Sequence, residues 1–198
     1  MANVASPVGF LHQGNNEGAS PTFGTRQILI ASNAGAIYKG DPVKMLNTGY
    51  ASAWTASTAV SQLGGIFVGC QYQSSTSGVG LIRSQYWPGS GATGDVTGFI
   101  IPCNLSTPGW FLVQATGATG ILFADIGQTV DVNMGTGNTY TGLSGAGADQ
   151  STLGTTATLP FRVMAMGPAN GPSGTANDNT AANNWIYVAA NVYGSTGI

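Results

Sequence analysis

The chain has 198 residues, of which 42% are hydrophobic and only 6% are charged, and its net charge is −2. A chain of this length can bury a substantial core, but its charged fraction is far below the roughly 25% of ordinary soluble domains. Its five basic residues are scattered along the sequence, which argues against nucleic-acid binding, because recognition of phosphates needs a clustered basic surface.

Residues 1–25 are rich in Gly, Asn, Ser and Pro and predict an extended, irregular N-terminal arm that either lies along its own domain or reaches a neighbour. We expect His12, the single histidine, to be satisfied or exposed rather than a ligand. The first ten residues lack the basic start and apolar centre of a secretory signal, so we expect folding in the cytoplasm. In that compartment Cys70 and Cys103 fit small buried hydrophobic residues, and a disulfide between them is the less favoured alternative, because cytosolic disulfides are rare.

The first half of the chain predicts short strands separated by glycine-rich turns. They fall at residues 26–31, 36–38, 41–45 and 50–54, while residues 55–63 fit either a helical turn or a loop. The clearest strand covers residues 64–72. Its alternation places Ile66, Val68, Cys70 and Tyr72 on one face.

The second half continues in the same way. Strands are predicted at residues 81–87, 95–103, 110–115, 121–126, 129–132, 159–166 and 185–193. Two long polar segments, residues 133–158 and 167–184, are predicted to be surface loops. Many short strands without a convincing helix indicate an all-β fold, a β-sandwich or barrel, and we predict a single β domain over residues 26–198.

No motif in the sequence carries a convincing catalytic or metal-binding signature. The Gly-x-Gly-x-x-Gly pattern at residues 89–94 leads into a strand, whereas a dinucleotide site needs a helix there. The oxygen-rich residues 131–138 lack the closing glutamate of a calcium loop, and Glu17 is the only glutamate. Asp125 and Asp131, the nearest pair of carboxylates, are expected to cap turns. We therefore expect no enzymatic activity, no cofactor and no metal.

Several segments, taken in order, resemble a family of tailed-bacteriophage head proteins, the capsid decoration (cement or head-stabilising) proteins. They follow one another in this order over residues 26–193, which is most of the chain. The segments are Gly-Asp-Pro-Val at 40–43, Gly-Ile-Phe-Val-Gly-Cys-Gln-Tyr at 65–72, Ser-Gln-Tyr-Trp-Pro at 84–88, Asp-Val-Thr-Gly-Phe at 95–99, Ala-Asp-Ile-Gly at 124–127, Leu-Pro-Phe-Arg-Val at 159–163 and the closing strand. The sequence departs from the family pattern in the Gly-, Ala- and Asn-rich loop at residues 168–184.

The resemblance implies a β-rich subunit, often trimeric, that binds across the joints between capsid proteins after the shell expands. The expected partners are the major capsid protein and other copies of the chain as a homotrimer, with no nucleic acid and no membrane, and the expected location is the capsid surface of the virion. Both faces of the closing strand are apolar, so one face is expected to meet the core and the other a second sheet, a long loop or another subunit. The candidate interface residues are Phe10, Phe23, Trp185, Tyr187 and Tyr193.

The sequence is also compatible with other functions. A tail-tube, head-fibre or minor capsid protein is also β-rich and repeated in the virion. A carbohydrate-binding surface is a further alternative, because tryptophan rings stack on sugars and the chain has four of them: Trp54, Trp87, Trp110 and Trp185.

Overall fold

The computed structural model describes residues 3–15, 24–56, 58–103, 109–172, 174 and 176–191. Within these ranges the regular structure is β-sheet, with two single 3-10 turns, Val60–Gln62 and Phe123–Asp125. The predicted all-β class is confirmed. The twelve strands found there are β1 Leu11–Asn15, β2 Arg26–Ile30, β3 Pro42–Met45, β4 Tyr50–Ala53, β5 Leu63–Gln73, β6 Leu81–Ser84, β7 Val96–Pro102, β8 Gly109–Thr116, β9 Thr129–Gly135, β10 Gly145–Gly154, β11 Phe161–Met166 and β12 Trp185–Ala190.

Five of the six strands β2–β7 form a closed barrel, and the whole sheet is called here the N-terminal barrel. The order is β3-β4-β2-β7-β5, and β3 also pairs with β5, which closes the ring, while β6 is added at the outside of β5. Closure leaves no free edge within the ring, and the side chains that point inward fill it. This core includes Ile30, Val43, Phe67, Trp87 and Ile100.

The strands β8–β12 form the second sheet, called here the C-terminal sheet. Its order is β8-β10-β9-β11-β12, and its pairings also return to the start because β12 pairs with β8. The strand β1, from the opposite end of the sequence, pairs antiparallel with β8. The core of this sheet is completed by side chains from outside it, among them Phe10, Trp54 and Ile66.

The strand β5 serves both cores because it contains a bulge. Phe67 pairs with Ile100 and Gly69 with Phe99, so Val68 is an extra residue that has no counterpart on β7. The predicted face of Ile66, Val68, Cys70 and Tyr72 is therefore wrong. Ile66 packs in the core of the C-terminal sheet, whereas Phe67, Cys70 and Tyr72 pack inside the N-terminal barrel.

The prediction of a surface loop over residues 133–158 is also wrong. The strand β9 runs on to Gly135, and β10 occupies Gly145–Gly154 at the centre of the C-terminal sheet. Its inward residues are Ala146 and Ala148, both fully buried. A Cβ on the intervening Gly147 would lie 2.8 Å from the carbonyl oxygen of Gln114, so the sheet needs small residues that in the sequence resemble a polar loop.

The N-terminal arm lies along its own chain wherever it is described. Asn3 exchanges hydrogen bonds with the backbone of Asp178, at 2.8 Å in each direction. Further on, the side chain of Gln114 donates to Val4 O and accepts from Ser6 N, both at 2.8 Å. Residues 3–15 of the arm thus lie along their own chain, which is the first of the two alternatives that the sequence allows.

Three segments of backbone meet where the arm passes between the N-terminal barrel and the C-terminal sheet. Phe10 N donates to Gly40 O at 2.9 Å, Gly40 N donates to Phe67 O at 2.8 Å, and Ser144 N donates to Lys39 O at 2.9 Å. We call residues 8–10, 38–41 and 142–144 the junction. Gly9 and Gly40 both have left-handed φ values, +81° and +96°, and they allow the chains to approach this closely.

Substituting Gly9→Ala should lower the free energy of unfolding by about 3 kcal/mol. The new Cβ would lie 2.7 Å from both Gly40 O and the Cβ of Ser144, and crowding of this kind costs about 1–3 kcal/mol. The left-handed backbone adds about 1–2 kcal/mol.

The matched control is Gly49→Ala, since Gly49 has φ +87° and open space around it. It should show only the backbone cost of about 1–2 kcal/mol. Both variants are measured by urea denaturation, and equal losses would mean that the crossing of the chains at Gly9 is not tight.

Candidate interaction surface

The aspartates singled out in the sequence make hydrogen bonds within the fold. No group of three or more His, Cys, Asp or Glu side chains that could hold a metal ion occurs among the described residues. Asp125 caps the 3-10 turn, where Leu122 N donates to its Oδ2 at 2.8 Å. Asp131 accepts from Trp54 Nε1 at 3.2 Å and from Val132 N at 2.8 Å. Asp125 thus caps a turn as expected, whereas the expectation is wrong for Asp131, which lies within β9 and holds the indole of Trp54.

Asp41 is the carboxylate at the junction, and it is 97% shielded from solvent, with 3% of its surface exposed. Its Oδ2 accepts from Tyr38 N at 2.7 Å. Burial raises the pKa of Asp41 above its ordinary value of 3.8, although the hydrogen bonds from Ser144 and Tyr38 oppose this shift. The carboxylate thus holds the 38–41 turn closed and ties it to the C-terminal sheet.

The two cysteines are free thiols in different cores. Cys70 lies inside the N-terminal barrel and Cys103 in the core of the C-terminal sheet. Burial raises the pKa of each thiol to about 12, so neither forms a reactive thiolate at neutral pH. His12 packs on the ring of Phe111, with ring centres 5.5 Å apart, and burial lowers its pKa.

Two of the predicted interface residues are core residues of their own chain. Phe10 is buried and its ring stacks on Phe161, with centroids 4.5 Å apart. Trp185 is also buried, because residues 167–171 cover it. Tyr187 is half-buried beside Trp110, and an interface role for it stays a prediction. Phe23 and Tyr193 lie outside the described residues.

The tryptophans also differ from the arrangement that a sugar-stacking surface requires. Trp54, Trp87 and Trp185 are buried, and Trp110 is half-buried with its ring 6.0 Å from that of Tyr187. Trp87 Nε1 donates to Ala34 O at 3.2 Å inside the N-terminal barrel. Trp54 and Trp87 fill the two cores and Trp185 is buried, so only Trp110 has part of its surface exposed.

The largest exposed apolar group that sequence reasoning missed is the turn between β8 and β9. Residues 122–127, called here the Phe123 loop, expose 45% of Leu122, 79% of Phe123 and 37% of Ile126. The sequence Ile-Leu-Phe-Ala-Asp-Ile-Gly predicts a strand at 121–126, but its apolar run has no alternation. Asp125 followed by Gly127 is the signal for a capped turn that could have revealed it.

The Phe123 loop is rigid although its side chains point outward. Asp125 accepts from Leu122 N and from Gln128 Nε2, at 2.8 and 3.0 Å. Gly127 N donates to Val163 O at 2.8 Å, which fixes the loop to β11. Arg162 Nη1 donates to Gly127 O, also at 2.8 Å. Apolar side chains on a pre-ordered loop lose little entropy when they bind a partner.

A pocket of about 510 Å³ opens beside the junction. It is called here the junction pocket, and Lys39 lies at it. Its apolar lining comes from three parts of the fold, the N-terminal arm, the N-terminal barrel and the 142–144 segment. These residues are Phe10, Leu11, Phe67, Val68, Ile101 and Leu143. An apolar concavity with few polar groups is the usual form of a binding pocket in proteins.

The described part of the chain contains no helix with the length and hydrophobicity needed to cross a bilayer. Comparison of the chain with protein-family models, with curated proteins and with solved structures found no match.

Substituting Trp54→Phe should lower the free energy of unfolding by about 2–3 kcal/mol, because it removes a buried donor to the Asp131 carboxylate. The matched control is Trp87→Phe, another fully buried tryptophan, whose Nε1 donates to the uncharged Ala34 O. Hydrogen bonds to charged acceptors are the stronger class, so the control should lose about 1 kcal/mol less. Thermal and urea unfolding measure both, and a larger loss in the control would contradict the role of Asp131.

Substituting Asp41→Asn should change the pH dependence of stability in a defined direction. Because the folded pKa lies above the unfolded value, protonation of Asp41 stabilises the fold fully below pH 3.8, and this contribution is lost as pH rises through the folded pKa. The stability of the wild type relative to the variant should therefore fall as pH increases from about 4. Urea denaturation at a series of pH values measures the difference, and a flat or rising difference would contradict the raised pKa.

Proposed function

We propose that the chain is a structural virion protein that binds the outside of a tailed-phage capsid and stabilises the expanded shell by bridging capsid subunits. The observation that carries the proposal is the combination of a closed, interlocked β-structure with a surface that has almost no charge. Twelve of 198 residues are charged. The resemblance of residues 26–193 to capsid decoration proteins supports the same function.

The architecture suits a load-bearing role. Both sets of strand pairings close on themselves, so backbone hydrogen bonds connect every strand of each ring to two neighbours. Trp54 and Ile66 of the N-terminal barrel also complete the core of the C-terminal sheet. A unit of this kind transmits force between two attachment points without opening at a sheet edge.

The low charge favours dense packing on a repeating surface. Neutral side chains keep little tightly bound water, so burying them costs little, and like copies repel each other weakly. On a shell each copy would contribute a modest contact, and the many copies would together oppose the outward pressure of packaged DNA. The partners in this proposal are the major capsid protein and other copies of the chain, with a homotrimer as the expected assembly.

The second candidate is another repeated virion component, such as a tail-tube or head-fibre protein, which the all-β fold fits equally well. A carbohydrate-binding function has less support, because the described tryptophans are buried or half-buried.

Co-sedimentation with phage heads separates these functions. Purified protein is mixed with emptied, expanded heads of its own phage and, in parallel, with unexpanded proheads. Stoichiometric binding to expanded heads alone, together with a higher temperature of head disruption, is the expected result. Absence of binding to both forms, with the protein present in purified tails, would refute the decoration role in favour of the tail component.

A further inference from the structure

We propose that copies of this chain associate head to tail, with the Phe123 loop of one copy inserted into the junction pocket of the next. This inference does not require the capsid role, although it would supply the contact between copies that the capsid role expects. One chain carries both an exposed apolar projection and an apolar concavity, and such a pair generates a heterologous interface.

The projection has the properties of a binding hot spot. Phe123 is 79% exposed and is flanked by the partly exposed Leu122 and Ile126. An exposed apolar group of this size on a soluble chain commonly marks an interaction site. The hydrogen bonds of Asp125 and Gly127 hold the loop in one conformation, so binding does not first have to order it.

The pocket matches the projection in size and chemistry. Its volume of about 510 Å³ accommodates an aromatic ring with an aliphatic neighbour. The half-buried lining residues Leu11, Val68, Ile101 and Leu143 offer an inserted phenylalanine an aliphatic surface.

The charges at the two surfaces are also complementary. Lys39 lies at the pocket, and Asp125, half-buried in the Phe123 loop, carries a carboxylate two residues from Phe123. Burial lowers the pKa of His12, the other basic side chain lining the pocket, which favours its uncharged form. Arg162 at the base of the loop donates to Gly127 O. Insertion therefore brings the Asp125 carboxylate toward the ammonium group of Lys39, an attraction between opposite charges.

The Phe123 loop does not line the pocket of its own chain. The Phe123 loop precedes the first residue of β9, whereas Leu143 of the pocket follows its last residue. The seven residues of β9 span about 20 Å between the end of the Phe123 loop and the end of β9 that precedes Leu143. The occupant must come from another copy, and repetition of the same contact yields a closed ring or an open chain according to the rotation between copies.

The experiment measures the mass of the free protein by sedimentation equilibrium over a range of concentrations. Two single variants each remove one side of the contact. Phe123→Ser removes the projection, and Leu143→Glu fills the pocket with a carboxylate that repels Asp125. Leu81→Ser is the control, because Leu81 is 60% exposed on β6, away from both surfaces. Circular dichroism and thermal unfolding establish that each variant is folded.

We expect the wild type and Leu81→Ser to exceed the monomer mass of 20.0 kDa, and both interface variants to sediment as monomers at the same concentration. An equimolar mixture of Phe123→Ser and Leu143→Glu retains one intact projection and one intact pocket. It should therefore form a species of twice the monomer mass, and the double variant should not form it with either single variant.

Three results would overturn the proposal: a monomeric wild type at all concentrations, unchanged association of Phe123→Ser, or no complementation in the mixture. A monomeric wild type that binds expanded heads through Phe123 would assign the loop to the shell instead. A monomeric wild type destabilised by Phe23→Ser would assign the pocket to the chain's own residues 16–23. Association that depends on Phe123 in a protein that binds no heads would support this contact and refute the capsid role.

Discussion

The close passage of three backbone segments at the junction is the constraint on which the rest of the structure depends. Gly9, Gly40 and Ser144 belong to the arm, the N-terminal barrel and the C-terminal sheet, and a single methyl group on Gly9 would separate them. The turn at residues 38–41 is closed by the Asp41 carboxylate. Because the same turn donates to β5 and accepts from the arm, its geometry sets the position of both rings of strands.

The two cores are consequently one mechanical unit. The bulge at Val68 lets neighbouring residues of β5 face different cores, with Ile66 in one and Phe67 in the other. Trp54 extends the N-terminal barrel toward Asp131 of β9 by a hydrogen bond. Buried hydrogen bonds to a charged acceptor are specific as well as favourable, so this bond fixes the orientation of the two parts.

The sequence predicts the fold class well, because period-two patterns and glycine-rich turns are local signals. The strands at residues 26–31, 64–72 and 95–103 are found within one or two residues of their predicted ends. The sequence pattern does not reveal the strand β10, because Ala146 and Ala148 carry little hydrophobic signal. Small residues are necessary there only because the neighbouring strands lie so close. The bulge at Val68 could not be read, since it depends on pairing with β7.

The candidate surface was less predictable than the fold. Phe10 was assigned to an interface because it lies in a polar arm, but its stacking partner Phe161 is distant in sequence. The opposite error applies to Phe123, whose apolar neighbours suggest burial, whereas the capped turn points its ring into solvent. Which apolar residues are covered is a tertiary property, and beyond the turn signal of Asp125 and Gly127 no local pattern in this chain distinguishes the two phenylalanines.

The pairing of β1 with β8 determines the order in which the molecule can be completed during synthesis. Leu11 emerges from the ribosome early, yet its partner Leu112 is made only after the whole N-terminal barrel. Translation proceeds at about 5–20 residues per second, so the arm waits for seconds while the strands β2–β7 become available to close their ring. The arm can pair only after β8 has been made, and a stall in elongation before Gly109 would leave a closed barrel with an unpaired arm.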